Sequence, residues 1–334
     1  MTDAISAVGV GRGTPDPAGA GRRARRLRWC AATAAAIAAV ALPWLVNAYI
    51  VSLASYILVI ALLAMSTQLL VGVAGLPSLG QAAYLGVGAY TAAVLARTVT
   101  TSGPVHLAAA VAAGAGAAAV TGVLAVRVRG ITFLMITFAI GQLAHAAAVQ
   151  WTARSGGSEG LHTPAVVPLP GLPPLELDGY AYLYVLACAA ALATALAVLL
   201  RSRYGLALRG IADHEPRMQA SGHPTGRYLL AAYGAAGALA GGAGALLVAA
   251  HRYVSPADLS FEVAALGLLA AVLGTGTMPG ACLGAVLVVA SRDWLGGILG
   301  GHGMAMVGLL LLAVVYAPRR KLGRLLQRVR GGRT

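Results

Sequence analysis

Residues 201–228 read RSRYGLALRGIADHEPRMQASGHPTGRY, and the rest of the chain is read around this stretch. It carries the basic residues Arg201, Arg203, Arg209, Arg217 and Arg227 and the acids Asp213 and Glu215. On both sides the chain turns apolar for about twenty residues, the length that crosses a bilayer core. The same holds elsewhere. Across 334 residues the chain is 59% hydrophobic and only 10% charged, against about 25% in a soluble domain. Such a chain has too little polar surface to meet water, and its solvent is a bilayer. Residues 201–228 are then a polar interval between membrane spans. The 44 glycines suit helices that pack closely in lipid, where small residues let backbones approach.

Hydropathy predicts an all-α polytopic membrane protein with ten candidate spans: 29–47, 49–71, 76–96, 105–126, 131–151, 180–200, 229–250, 261–276, 280–297 and 303–317. Gly and Pro interrupt 76–96 and 261–297, and broken membrane helices of that kind line cavities. If one broken pair is re-entrant, eight spans remain. The flanks are a Gly, Pro and Ala-rich tail over 1–28 and a basic tail over 318–334, with the membrane domain over 29–317 between them. Basic residues orient the chain. Six fall in 1–28, two in 127–130, five in 201–228 and seven in 318–334, and only Arg97, Arg154, Arg252 and Arg292 fall on the other side. The positive-inside rule therefore places both termini and the 201–228 loop in the cytoplasm. The longest outer loop, 152–179, contains Pro168-Leu169-Pro170-Gly171-Leu172-Pro173-Pro174, which cannot form a regular helix.

Several chemistries are excluded or weakened. The net charge of +14 sits in short clusters between spans, so it reads as topology and not as a nucleic-acid surface. Cys30, Cys188 and Cys282 lie in separate apolar runs with no CxxC pair, so no metal or disulfide framework is indicated. Gly156-Gly157-Ser158-Glu159-Gly160 matches G-x-S-x-G, but a nucleophile elbow needs a strand before the serine and a helix after it. Here it follows a membrane helix and reads as a Gly-rich turn. His145 has no serine partner framed for catalysis. A P-loop needs a lysine after its glycines, and Lys321 in the basic tail is the only lysine. An ATP-driven role therefore needs a separate ATPase, with ATP and magnesium held there and no cofactor on this chain. Glu262, Arg292 and Asp293 lie only near span ends, which weighs against an ion-coupled carrier with mid-membrane charge.

Polar groups at membrane depth concentrate in two places. In Gly75-Leu76-Pro77-Ser78-Leu79-Gly80-Gln81-Ala82-Ala83-Tyr84-Leu85-Gly86-Val87-Gly88-Ala89-Tyr90 they are Ser78, Gln81, Tyr84 and Tyr90; in 129–142 they are Thr137 and Gln142. Two readings stand for the first: a tight helix seam with its polar groups satisfied across it, or the lining of a solute pathway. A helical Gln81 would share a face with Tyr84 and Gly88. For Thr137, bonding back to its own helix is the common fate.

The segments GLPSLGQAAYLGVGAY (75–90), RVRGITFLMITFAIGQ (127–142), SGGSEGL (155–161), SRYGLALRGI (202–211) and Tyr253-Val254-Ser255-Pro256 occur in the order found in branched-chain amino acid ABC transporter permeases of the LivM type, which this chain resembles over most of its length. The resemblance implies the permease subunit of an ATP-driven importer in a bacterial inner membrane. It implies two cytoplasmic ATP-binding cassette ATPases, a second homologous permease and an extracytoplasmic solute-binding protein as partners. The implied solutes are branched-chain amino acids, with other amino acids, urea or amides, and sugars as alternatives. It places an ATPase-coupling segment at 206–222, with Leu206, Arg209, Asp213, Glu215, Arg217 and Gly222 as its contact and shape residues. Gly222 suits a helix C-cap. Three features depart from the family pattern: Pro216, which predicts two short helices meeting near Glu215–Pro216; Gln142, where the family often has an acid; and the Gly274–Gly280 turn.

Overall fold

The computed structural model describes residues 37–168, 175, 178–274 and 277–298. Both predicted tails, 1–28 and 318–334, and the predicted span 303–317 lie outside them. The chain divides into two units, Met1–Asn47 and Ala48–Thr334. The described part of the first carries one helix, α1, over 37–45.

The second unit is helical almost throughout, and the all-α polytopic membrane fold with broken helices is what forms. Its helices are α2 (Ala48–Gln68), α3 (Gln81–Thr98), α4 (Gly103–Ala125), α5 (Ile131–Gln150), the single turn α6 (Thr152–Ser155), α7 (Asp178–Arg201), α8 (Arg203–Ala220), α9 (Thr225–His251), α10 (Phe261–Leu273) and α11 (Met278–Ile298). Among the described residues, Ala48–Ala74, Gly103–Ala125, Ile131–Gln150, Gly179–Arg201 and Thr225–His251 are long and apolar enough to cross a membrane.

The two interrupted stretches break where Gly and Pro stand. α2 runs into a π-helical turn, Leu69–Ala74, which ends at Gly75 with φ +72°. The Leu76 N–H reaches back to the Leu70 carbonyl at 2.8 Å. Pro77 disfavours helix at Leu76 and has no N–H to offer. The chain therefore stays non-helical to Gly80, and α3 starts at Gln81, later than the predicted 76. Likewise α10 has 13 residues, about 20 Å of rise against a hydrocarbon core of about 30 Å. It turns at Gly274 and returns as α11, and both pack on α2. Its far end is fixed at the starting side, where Arg292 pairs with Glu262 at 2.5 Å.

α9 is the centre of the unit: α2, α3 and α4 pack along it. Small residues make this possible. Gly237 and Gly241 of α9 lie against Gly114 of α4, and Gly244 lies against Leu85 and Ala89 of α3. This is the small-residue seam of lipid-embedded helices. By contrast α4, α5 and α7 turn large apolar side chains outward, among them Val120, Leu124, Met135, Leu143 and Val198. Such surface is at home in lipid, as the hydropathy requires.

At the end of the bundle where α9 finishes, Leu161–His162 (β1) pairs antiparallel with Tyr253–Val254 (β2). The chain reaches β1 through Gly156, Gly157 and Gly160, all at positive φ. A side chain at Gly160 would strike the Val254 carbonyl and Ser255. Ser158 thus stands exposed in a 3₁₀ turn after a helix, with no strand before it. His145 Nδ1 lies 3.1 Å from the Pro256 carbonyl, tying α5 to this cap. The hydrolase-like match is a structural turn. The predicted outer cover 152–179 is described except at 169–174 and 176–177.

Candidate functional site

α8 is amphipathic at helical spacing. Gly205, Leu208 and Ile211 are buried in the bundle, while Leu206, Arg209 and Asp213, three and four residues apart, form one exposed stripe. Leu206 is 69% exposed, an apolar side chain set among charges. Arg209 Nη2 donates to the Leu200 carbonyl at 3.1 Å, which fixes the guanidinium over the end of α7.

The helix breaks at His214, whose backbone is extended at φ −158° and ψ 85°. Pro216 then lies in the first turn of a second short helix, where its missing N–H has no partner to lose. The break falls one residue ahead of the predicted junction, for the predicted reason. That second helix ends at Ser221 and Gly222. Gly222 has φ +80°; its N–H donates to the Gln219 carbonyl at 2.9 Å, and the His223 N–H donates to Met218 at 3.1 Å. This is a Schellman cap, which wants glycine at that position.

Glu215 anchors the second half. Arg129, in the turn between α4 and α5, donates from Nη2 to Oε1 at 2.8 Å and from Nε to Oε2 at 2.9 Å. Gln219 Nε2 and Thr225 Oγ1 also donate to Oε1, at 3.3 Å and 3.1 Å. One carboxylate thus joins the α4–α5 turn, α8 and the start of α9. The bidentate arginine holds the Glu215 carboxyl below the usual carboxylate range, against the opposing effect of partial burial. It is therefore ionised throughout neutral pH. Arg217 and Asp213 remain exposed.

α8 also touches the α2–α3 break. A side chain at Gly75 would meet Ala212 at 3.4 Å, and α8 packs on the π turn. Beyond Gly75 the non-helical segment reaches α5. Leu79 N–H donates to Thr137 Oγ1 at 3.2 Å, and Thr137 donates to the Leu134 carbonyl at 2.9 Å. A Cβ at Gly80 would sit 2.9 Å from the Thr137 carbonyl. A continuous contact path therefore runs from α8 through Gly75–Gly80 to α5.

The polar residues expected at membrane depth separate into two groups. Ser78, Gln81, Tyr84 and Thr137 are buried and close around the break. Ser78 Oγ accepts the Gly80 N–H at 3.2 Å. Ser66 Oγ lies 2.8 Å from Gln81 Oε1 and 2.7 Å from the Ala236 carbonyl. Tyr84 donates to Tyr233 Oη at 2.8 Å and lies 2.6 Å from Thr121 Oγ1. The Tyr84 and Tyr233 rings meet edge to face at 5.7 Å, and Phe133 meets Tyr233 at 5.9 Å. This is the seam arrangement, with hydroxyls satisfied across α3, α4 and α9. Tyr90 stands apart, near β2, and its hydroxyl is buried with no hydrogen-bond partner among the described residues. Gln81 Nε2 and Gln68 Nε2 are orphaned in the same sense. Gln142 is half-buried on α5.

Ser66, Gln68, Thr121 and Tyr233 were not expected from the sequence. Tyr233 is one tyrosine in an apolar run, and only its burial opposite Tyr84 shows its part. Tyr84→Phe should cost about 1–3 kcal/mol, since it strips a buried hydroxyl of its partner. The Tyr84→Phe/Tyr233→Phe pair should cost less than the sum of the singles. Thermal unfolding of the detergent-purified variants reads this, and additive losses would show that the hydroxyls are not coupled.

Five helices long and apolar enough to cross a membrane, two Gly/Pro breaks and an amphipathic, kinked α8 describe a polytopic membrane protein, and its family makes it a permease. Residues 49–316 match the family described as branched-chain amino acid transport system / permease component, and the chain belongs to that family. It is similar to the high-affinity branched-chain amino acid transport system permease protein LivM of Salmonella typhimurium (strain LT2) and to that of Escherichia coli (strain K12). Each is 26% identical over 309 residues, covering 85% of this chain and 72% of the relative. No solved structure matches the chain.

Proposed function

We propose that this chain is the membrane-spanning permease subunit of an ATP-driven importer, taking up branched-chain amino acids through a pathway that α8 opens and closes. Both termini and α8 lie on the cytoplasmic side of a bacterial inner membrane, as the distribution of basic residues favours. Two separate ATP-binding cassette ATPases hold ATP and magnesium and dock on the Leu206, Arg209, Asp213 and Arg217 side of α8. Glu215 and Gly222 set its shape. A second homologous permease and an extracytoplasmic binding protein complete the assembly.

The observation that carries this reading is the packing of Ala212 on Gly75. A displacement of α8 has to move the π turn and the 76–80 segment, and with them the Thr137 contact to α5. Ser78, Gln81, Tyr84, Tyr90, Thr137 and Gln142 then border the route of the solute. The orphaned amide of Gln81 and hydroxyl of Tyr90 are places where water or solute would complete a hydrogen bond. A two-state element of this kind responds only if ATPase docking favours one state over the other by differential contact.

Arg209→Glu and Arg217→Glu should each reduce co-purification of the ATPases or uncouple ATP hydrolysis from uptake in proteoliposomes of the full assembly. Normal assembly and normal uptake in both variants would refute docking on this face. Transport by the purified chain alone on an ion gradient would decide for a secondary carrier instead.

A further inference from the structure

A cavity of about 630 Å³ opens beside α8, at the end of the bundle where α4 stops and α9 begins. Its lining joins Val123, Val126 and Leu230 to Arg127, Arg129 and Glu215. Arg129 and Glu215 neutralise each other in the bidentate pair. Arg127 is exposed, and among the described residues its guanidinium has no hydrogen-bond or ion-pair partner. The cavity therefore carries one uncommitted positive charge above apolar walls.

The walls continue out of the cavity along α4. Gly116, Val120 and Val123 lie four and three residues apart, and all are exposed. Arg127 follows four residues later, two residues past the end of α4, where Val126 still has helical backbone and the Arg127 N–H bonds the Leu124 carbonyl, so it continues the stripe. At Gly116 nothing lies within 4 Å of where a side chain would begin. An open apolar track, about 16 Å long at helical rise, thus ends at a free arginine where the span meets the polar region. A soluble anion would use the arginine and leave the track empty. A molecule with an anionic head and an aliphatic tail fits both parts.

We infer that this cavity is a binding site for an anionic phospholipid, its phosphate on Arg127 and one acyl chain along Val123, Val120 and Gly116. Basic pockets between membrane helices take lipid headgroups on these grounds. The headgroup would rest against Pro216 and Thr225, beside the carboxylate clamp that fixes the second half of α8.

The test is native mass spectrometry of the full-length chain released from micelles doped with phosphatidylglycerol or phosphatidylcholine. The wild type should retain phosphatidylglycerol in preference to phosphatidylcholine. Arg127→Gln should lower that retention about fivefold, the ratio expected for one arginine's attraction at a charged surface. Gly226→Phe keeps the arginine and fills the cavity, because Gly226 lines it and has open space beside it; it should lower retention of both lipids. Arg97→Gln, a change in the last turn of α3, should have no effect. Thermal unfolding of each variant confirms that it is folded. Equal retention of the two lipids by the wild type, or undiminished retention by Arg127→Gln, would overturn the assignment. So would full displacement of phosphatidylglycerol by millimolar inorganic phosphate, which would mark a site for free anions.

Discussion

Gly88→Leu and Gly244→Leu should each prevent the bundle from assembling, whereas Gly116→Leu should leave it intact. At Gly244 a Cβ would overlap the Leu85 carbonyl and sit 2.6 Å from the Ala89 nitrogen. At Gly88 it would overlap the Gly241 carbonyl and sit 2.5 Å from the Gly241 Cα. In both cases the obstacle is backbone, which cannot rotate away as a side chain tip can. α3 and α9 would have to separate along their whole seam, which also opens the α4 contact at Gly114 and the Tyr84–Tyr233 hydroxyl bond. Overpacking commonly costs about 1–3 kcal/mol; a rigid seam of three helices lies at or above the upper end. Gly116 lies in α4 facing open space, so leucine there should be neutral or gain up to about 1 kcal/mol of helix propensity. Fluorescence-detected gel filtration and thermal unfolding in detergent compare the three. A Gly88→Leu or Gly244→Leu protein that is monodisperse and melts like Gly116→Leu would refute the seam.

How much of this was readable from the chain depends on the range of the interaction. Span positions follow from runs of adjacent apolar residues, and most ends lie within a few residues of expectation. Pro77 and Gly75 announce the α2–α3 break, and Pro216 announces the α8 kink, because both act on neighbouring backbone. The π turn at Leu69–Ala74 has no such signature, since LLVGVA continues the apolar run of α2. The short α10 was legible, since glycines and Pro279 mark the turn after it, and its end at Leu273 lies three residues before the expected 276. Pairings were least legible of all. From the sequence, Arg129 reads as a topology charge and Glu215 as a residue of the coupling segment. They are 86 residues apart, and only the folded chain joins them. Tyr84 reads as seam or pathway from the sequence, and its hydroxyl bond to Tyr233, 149 residues away, is a contact that no local pattern announces.

The Arg129–Glu215 pair gives the sharpest test of how α8 works. Both side chains are partly exposed, 38% and 24%, so breaking the pair should cost only about 1 kcal/mol of stability. Its mechanical effect should be larger. The break at His214 leaves the second half of α8 held by the Glu215 carboxylate and the Schellman cap, and not by a continuous helix. Without the carboxylate, Arg217 and Gly222 lose their fixed position relative to α4 and α9, and a push on α8 is absorbed at the break. Under the proposed coupling of α8 to separate ATPases, Glu215→Arg and Arg129→Glu should therefore each cut uptake roughly tenfold, the scale of a coupling free energy of 1–3 kcal/mol. ATP hydrolysis should continue, now uncoupled. The exchanged pair Arg129→Glu/Glu215→Arg should recover uptake only in part. It restores the ion pair, but Gln219 and Thr225 are donors, and an arginine at 215 accepts nothing from them. Uptake per ATP hydrolysed in proteoliposomes separates the outcomes. If both single reversals transport normally, or if the exchange does no better than the singles, the clamp is an incidental surface pair and the position of α8 rests on its other contacts.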